Sequence, residues 1–71
     1  MRIYIFKSDA KRELRAFAGD IAGSKLPGQF RPWHLVGAVG PDKDPPHNLS
    51  RHEIERAIAA SGFQLWRMKP T

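Results

Sequence analysis

The side chains in this sequence that can do chemistry are four serines, three histidines, seven carboxylates and twelve lysines and arginines, with no cysteine. Lacking a thiol, the chain has no disulfide and no route to thiolate catalysis, zinc ribbons or iron–sulfur ligation. A serine nucleophile needs a base and an orienting group in reach. Ser8, Ser24, Ser50 and Ser61 each have a simpler place, in a turn, a loop, a helix cap and a helix end. His34, His47 and His52, taken with Asp42, Asp44, Glu53 and Glu55, lack metal-ligand spacing: no two histidines stand at i,i+4, and adjacent His52 and Glu53 point differently on a helix. Gly19-Asp20-Ile21-Ala22-Gly23-Ser24-Lys25 looks like a phosphate loop but has three residues between its glycines, where the pattern needs four, and reverses the Lys-Ser order. The expectation is a protein that is not an enzyme and uses neither cofactor nor metal.

The basic residues are the distributed signal. Twelve Lys and Arg against seven Asp and Glu give a formal charge of +5, which attracts phosphate backbones, acidic lipids or acidic partners. Arg2, Lys7, Lys11, Arg12, Arg15, Lys25 and Arg31 precede Trp33, against Asp9, Glu13 and Asp20. If the N-terminal segment is a hairpin, Lys7, Lys11 and Arg12 cluster at its tip with Arg15 beside them. They could grip phosphates there while Tyr4, Phe6 or Trp66 offers a stacking face for bases. A solvated basic face without a ligand is the plainer explanation of the same charge.

These side chains must be positioned by a chain of 71 residues, which has room for one domain and a small core. Ile3 and Ile5 alternate with Tyr4 and Phe6, a strand with two apolar faces. Ala10, Leu14 and Phe17 have helical spacing, while Leu14, Ala16 and Ala18 fit a period of two. Turn chemistry at Ser8-Asp9-Ala10-Lys11 favours a hairpin of Arg2–Lys7 with Arg12–Phe17 over a helix. Gly19 to Pro32 holds three glycines and two prolines and reads as a long loop. Trp33 to Val39 alternates again, predicting a central strand with Trp33, Leu35, Gly37 and Val39 on one face. Gly40 to Asn48, with three prolines, is a second loop.

The best-specified element starts at Ser50. Its hydroxyl can cap the Glu53 amide, the Glu53 carboxylate can return the bond, and Leu49 can pack on Ile54 across the cap. Ile54, Ala57, Ile58 and Ser61 form an apolar stripe, Arg51 and Glu55 stand at i,i+4, and Gly62 supplies the stop, so a helix is expected over 51–61. Phe63 to Met68 follows as a strand, with Gln64, Trp66 and Met68 opposite Phe63 and Leu65. The expected fold is α+β: a small, mostly antiparallel sheet in the order β-β-β-α-β, with one helix on one face, over residues 1–71. Tyr4, Phe6, Val36, Trp66 and Met68 are then candidates for a second surface, covered by the Gly19–Pro32 loop or left open to a partner.

Leu14-Arg15-Ala16-Phe17-Ala18-Gly19-Asp20, Gly23-Ser24-Lys25-Leu26-Pro27, Pro32-Trp33 and Gly62-Phe63-Gln64-Leu65-Trp66-Arg67 resemble a group of short, uncharacterised bacterial proteins. The resemblance covers most of the chain from Leu14 onward. It implies that the Asp, Gly, Leu-Pro and Pro-Trp positions lie in a loop between strands, which favours a strand at Arg12–Phe17. Ala18 stands where that group has a threonine. No activity, ligand or partner comes with it.

Two functional readings follow. The first is a non-enzymatic module that binds a protein or its own copy through Asp20, Lys25, Arg31, Trp33, Tyr4 and Trp66, the loop and an apolar sheet face. The second is a nucleic-acid-binding module using Lys7, Lys11, Arg12, Arg15 and the sheet aromatics. No apolar run approaches the ~20 residues of a membrane span. The absence of cysteine and of an apolar leader predicts a cytoplasmic protein.

Overall fold

A computed structural model of the chain describes residues 1–45 and 49–68; the expectations placed on His47 and on 46–48 lie outside the described residues. Strands β1 (Ile3–Ser8), β2 (Leu14–Ala18), β3 (Trp33–Val39) and β4 (Phe63–Arg67) form one sheet, and helix α1 spans Arg51–Ser61. The strand order is β3-β1-β2-β4 and every pairing is antiparallel. The architecture is therefore the expected α+β sheet with one helix.

The N-terminal segment is a hairpin. At its turn the Ser8 hydroxyl accepts hydrogen bonds from the Ala10 and Lys11 amides at 3.1 Å. The Leu14 amide then donates to the Lys11 carbonyl at 3.1 Å, closing a five-residue turn over 9–13. The same two bonds could cap a helix, whose first amides have no backbone partner, so the hairpin is settled by the return of β2 against β1, with Ile5 opposite Phe17 and Lys7 opposite Arg15.

Two expectations for β3 are corrected. β3 is an edge strand, and β1 and β2 are the central pair. A mostly apolar run without Lys, Arg, Asp or Glu resembles a buried strand, but pairing order is set by long-range contacts that periodicity does not encode. Its faces also change partway. Ile5 lies opposite Gly37 while Phe6 lies opposite Leu35, so Val36 is an extra residue at a β-bulge. One extra residue reverses side-chain alternation. Trp33 and Leu35 consequently share a face with Ser8 and Phe6, whereas Gly37 and Val39 share the opposite face with Ile5 and Ile3.

α1 forms for the reasons legible in its ends. Ser50 is extended and accepts from the Glu53 amide at 3.3 Å, and Gly62 takes the left-handed conformation at φ 93° and donates its amide to Ile58. Arg51 binds Glu55 at 2.8 Å and also donates to the carbonyls of Lys43 and Met1, tying the start of the helix to the preceding loop and to the N-terminus. Ile54 and Ile58 pack on Ile3, Phe17 and Val39, with Ile5, Leu49 and Trp66 around them.

The other face carries Phe6, Ala16 and Ala18, covered by Leu26 and Trp33 and flanked by Tyr4 and Leu65. The loop over 19–32 thus roofs this face, with a short 3-10 turn at Gly28–Phe30. The five residues grouped above as one second surface are divided. Tyr4 and Phe6 lie on the loop side, Phe6 buried there and Tyr4 at its flank, and Trp66 lies on the helix side, stacked on Phe17 at 5.5 Å and 16°.

Candidate functional site

Antiparallel pairing places residues that are far apart in the sequence side by side on one face. His34 is opposite Lys7, Lys7 is opposite Arg15, and Arg15 is opposite Trp66. These four residues form a single row across all four strands, on the helix-bearing face. With strands about 4.8 Å apart, the row is about 14 Å long. Beyond it the hairpin turn carries Lys11 and Arg12, both exposed. The hairpin therefore gathers Lys7, Lys11, Arg12 and Arg15 at one end of the sheet.

The two carboxylates of this hairpin are already engaged. Asp9 Oδ2 lies 2.8 Å from His34 Nε2, and Glu13 accepts from Arg67 Nη1 at 3.1 Å. Arg15 Nη1 donates to the carbonyls of Arg12 and Leu14 at 2.6 and 3.2 Å, which folds its guanidinium against the turn. Among the described residues none of Lys7, Lys11, Arg12 and Arg15 has a carboxylate partner. Lys7 and Arg15 are half-buried and directly opposed. Like charges in that relation destabilise a sheet.

The first set of site residues is dispersed by the fold. Asp20 closes its own loop: Oδ2 accepts from the Ser24 amide at 3.1 Å and from the Ser24 hydroxyl at 2.9 Å. The bond from the Ser24 amide, then that from its hydroxyl, holds the Asp20 carboxyl below the usual carboxylate range. Lys25 lays its aliphatic chain against Gly62. Trp33 is packed into the loop, donating Nε1 to the Pro27 carbonyl at 2.9 Å and meeting Phe30 edge-on at 6.3 Å. Tyr4 flanks the Phe6 cluster on the loop side, Trp66 occupies the opposite face, and Arg31 is exposed at the loop's end. No protein-family model matches this chain, and no curated protein and no solved structure matches it.

The sheet aromatics are also differently placed from what a base-stacking platform requires. Phe6 is buried, Tyr4 is half-buried at the flank of the loop-covered cluster, and Trp66 already stacks on Phe17. What the basic end offers is cationic donors alone. One residue that positions this end went unrecognised among the site candidates: Ser8, fully buried, which also donates its hydroxyl to the Phe30 carbonyl at 2.7 Å. With the Asp9 amide bonded to the Pro32 carbonyl at 3.0 Å, it fastens the basic turn to the end of the loop. A serine at the end of an apolar strand, immediately before a turn, is the signal that pointed to it.

Proposed function

We propose that this protein binds the phosphate backbone of nucleic acid through the basic end of its sheet. The carrying observation is the direct opposition of Lys7 and Arg15, flanked by Lys11 and Arg12, where the nearby carboxylates are committed elsewhere. A polyanion converts the repulsion between these cations into attraction and releases condensed counterions. Recognition is by charge and is independent of base sequence, since the aromatics are engaged in packing.

Fluorescence anisotropy of labelled single-stranded and duplex oligonucleotides, titrated at several salt concentrations, tests this. Four phosphate contacts give a log–log salt slope of roughly −2.8 on single strands and −3.6 on duplex. Replacing Lys7, Lys11, Arg12 and Arg15 with glutamine is expected to abolish binding. Lys7→Gln alone should weaken binding while leaving the melting temperature unchanged or raised, because it removes the opposed like charge. Absence of binding at low salt, or equal binding by the fourfold variant, overturns the assignment.

A further inference from the structure

The two carboxylates of the basic hairpin are engaged by different kinds of partner. Glu13 accepts from the guanidinium of Arg67 at 3.1 Å, and a guanidinium keeps its charge at every pH a folded protein meets. Asp9 Oδ2 lies 2.8 Å from His34 Nε2, and an imidazole is the side chain whose charge changes between about pH 5 and 8. A neutral ring binds Asp9 without offsetting its charge, so one uncompensated carboxylate then stands among Lys7, Lys11, Arg12 and Arg15. The contact is held by the backbone. The Asp9 amide donates to the Pro32 carbonyl at 3.0 Å, two residues before His34, and His34 lies opposite Lys7 in the sheet. Among the described residues, Lys7 of β1 and Asp9 of the turn are the charged groups that flank the ring, while Arg31, just before β3, lays its guanidinium beside Gly28. Both members of the pair are about half exposed, at 54% for His34 and 51% for Asp9, so protons and ligands reach them from solvent.

We propose that His34 is a pH-sensitive regulator of the basic end, strengthening its hold on nucleic-acid phosphates when the ring takes up a proton; the inference rests on the phosphate-binding reading above. An ionised carboxylate only accepts, so Nε2 carries the hydrogen of the neutral ring and the added proton goes to Nδ1. The bond to Asp9 survives, and only the charge changes. Asp9 is then offset as Glu13 already is, and the row of His34, Lys7 and Arg15 gains a third positive charge. A phosphate about 4 Å from an added unit charge in water is held about fivefold more tightly, and less so as salt rises. Linkage is reciprocal, so a bound polyanion must in turn favour the protonated ring.

The probe is labelled oligothymidylate, whose phosphates and bases keep their charge across this range. Its anisotropy at low salt is expected to report an affinity about fivefold higher at about pH 5.5 than at about pH 8. His34→Gln should bring that ratio close to one. His34→Arg, which fixes the positive charge, should bind more tightly than the parent at the higher pH. The parent protein supplies a readout free of substitution: the His34 ring resonances, followed by NMR, should titrate at higher pH with oligothymidylate bound than without it, while those of exposed His52 on α1 shift less. A pH ratio that His34→Gln leaves unchanged, an arginine variant no tighter than the parent at the higher pH, or a His34 titration indifferent to the oligonucleotide overturns the proposal and leaves the phosphate-binding reading standing. Absence of binding at both pH values overturns the two together.

Discussion

Replacing Ser8 with alanine removes one oxygen and three hydrogen bonds while leaving backbone and volume nearly unchanged. The Phe30 carbonyl loses a donor at 2.7 Å, and the Ala10 and Lys11 amides lose an acceptor at 3.1 Å. Each intramolecular bond contributes about 0.5–1.5 kcal/mol net, and a buried group left without a partner costs about 1–3 kcal/mol. Ala10 and Lys11 are exposed and can turn their amides to water, so the lost bond to Phe30 dominates. The expected loss is about 2 kcal/mol. Small domains shift by roughly 4–8 °C per kcal/mol, so the melting temperature should fall by about 8–16 °C. Calorimetry measures the fall, and amide exchange at Ala10 and Lys11 should accelerate beyond the global change. A loss under about 0.5 kcal/mol, within the range of ordinary surface substitutions, refutes the view that Ser8 clamps the turn to the loop.

Two further outcomes follow from the loop and the helix end. Gly62→Ala forces a side chain into a left-handed conformation and against the Lys25 chain. A loss of about 1–2 kcal/mol is expected in denaturant titrations, and Lys25→Ala in the same chain should recover only the share due to the Lys25 Cγ and Cδ, because its Cβ still lies 2.7 Å from the new methyl. Asp20 has a lowered carboxyl pKa when folded, so its contribution is present above the unfolded pKa and disappears as pH falls through the folded value. Asp20→Ala should therefore melt below the parent at neutral pH, by a small margin because the group is solvated. The two melting curves should converge once pH has fallen through the folded value.

The parts legible in the sequence are those that neighbouring residues decide. Ser50 and Gly62 fix the two ends of the helix, and the two short apolar runs on either side of 9–13 can pair as a hairpin, which by itself brings Lys7 and Arg15 near each other. The parts that were not legible depend on partners far along the chain. Val36 is an ordinary member of an alternating strand until β1 pairs with it one residue out of step. The edge position of β3 is a property of the order of four strands. Trp66 lies on the helix face because Arg15 opposes it, a relation across more than half the chain. The basic row shares that origin: His34 and Trp66 join Lys7 and Arg15 only once both edges have docked.

The strand order β3-β1-β2-β4 also sets a sequence of assembly. The β1–β2 hairpin is the sheet's one local pairing, so its loop-closure cost is small and it can form first. β3 adds to one side of it, but β4 reaches the other side only after α1 has carried the chain across the sheet. Phe17, at the centre of the core, is sealed by α1 and by Trp66 of β4. During synthesis on a ribosome, a chain that has emerged only as far as Val39 can complete a three-stranded sheet with Phe17 bare. The segment Arg51–Arg67 then acts as the lid that turns a sticky nascent sheet into a covered one.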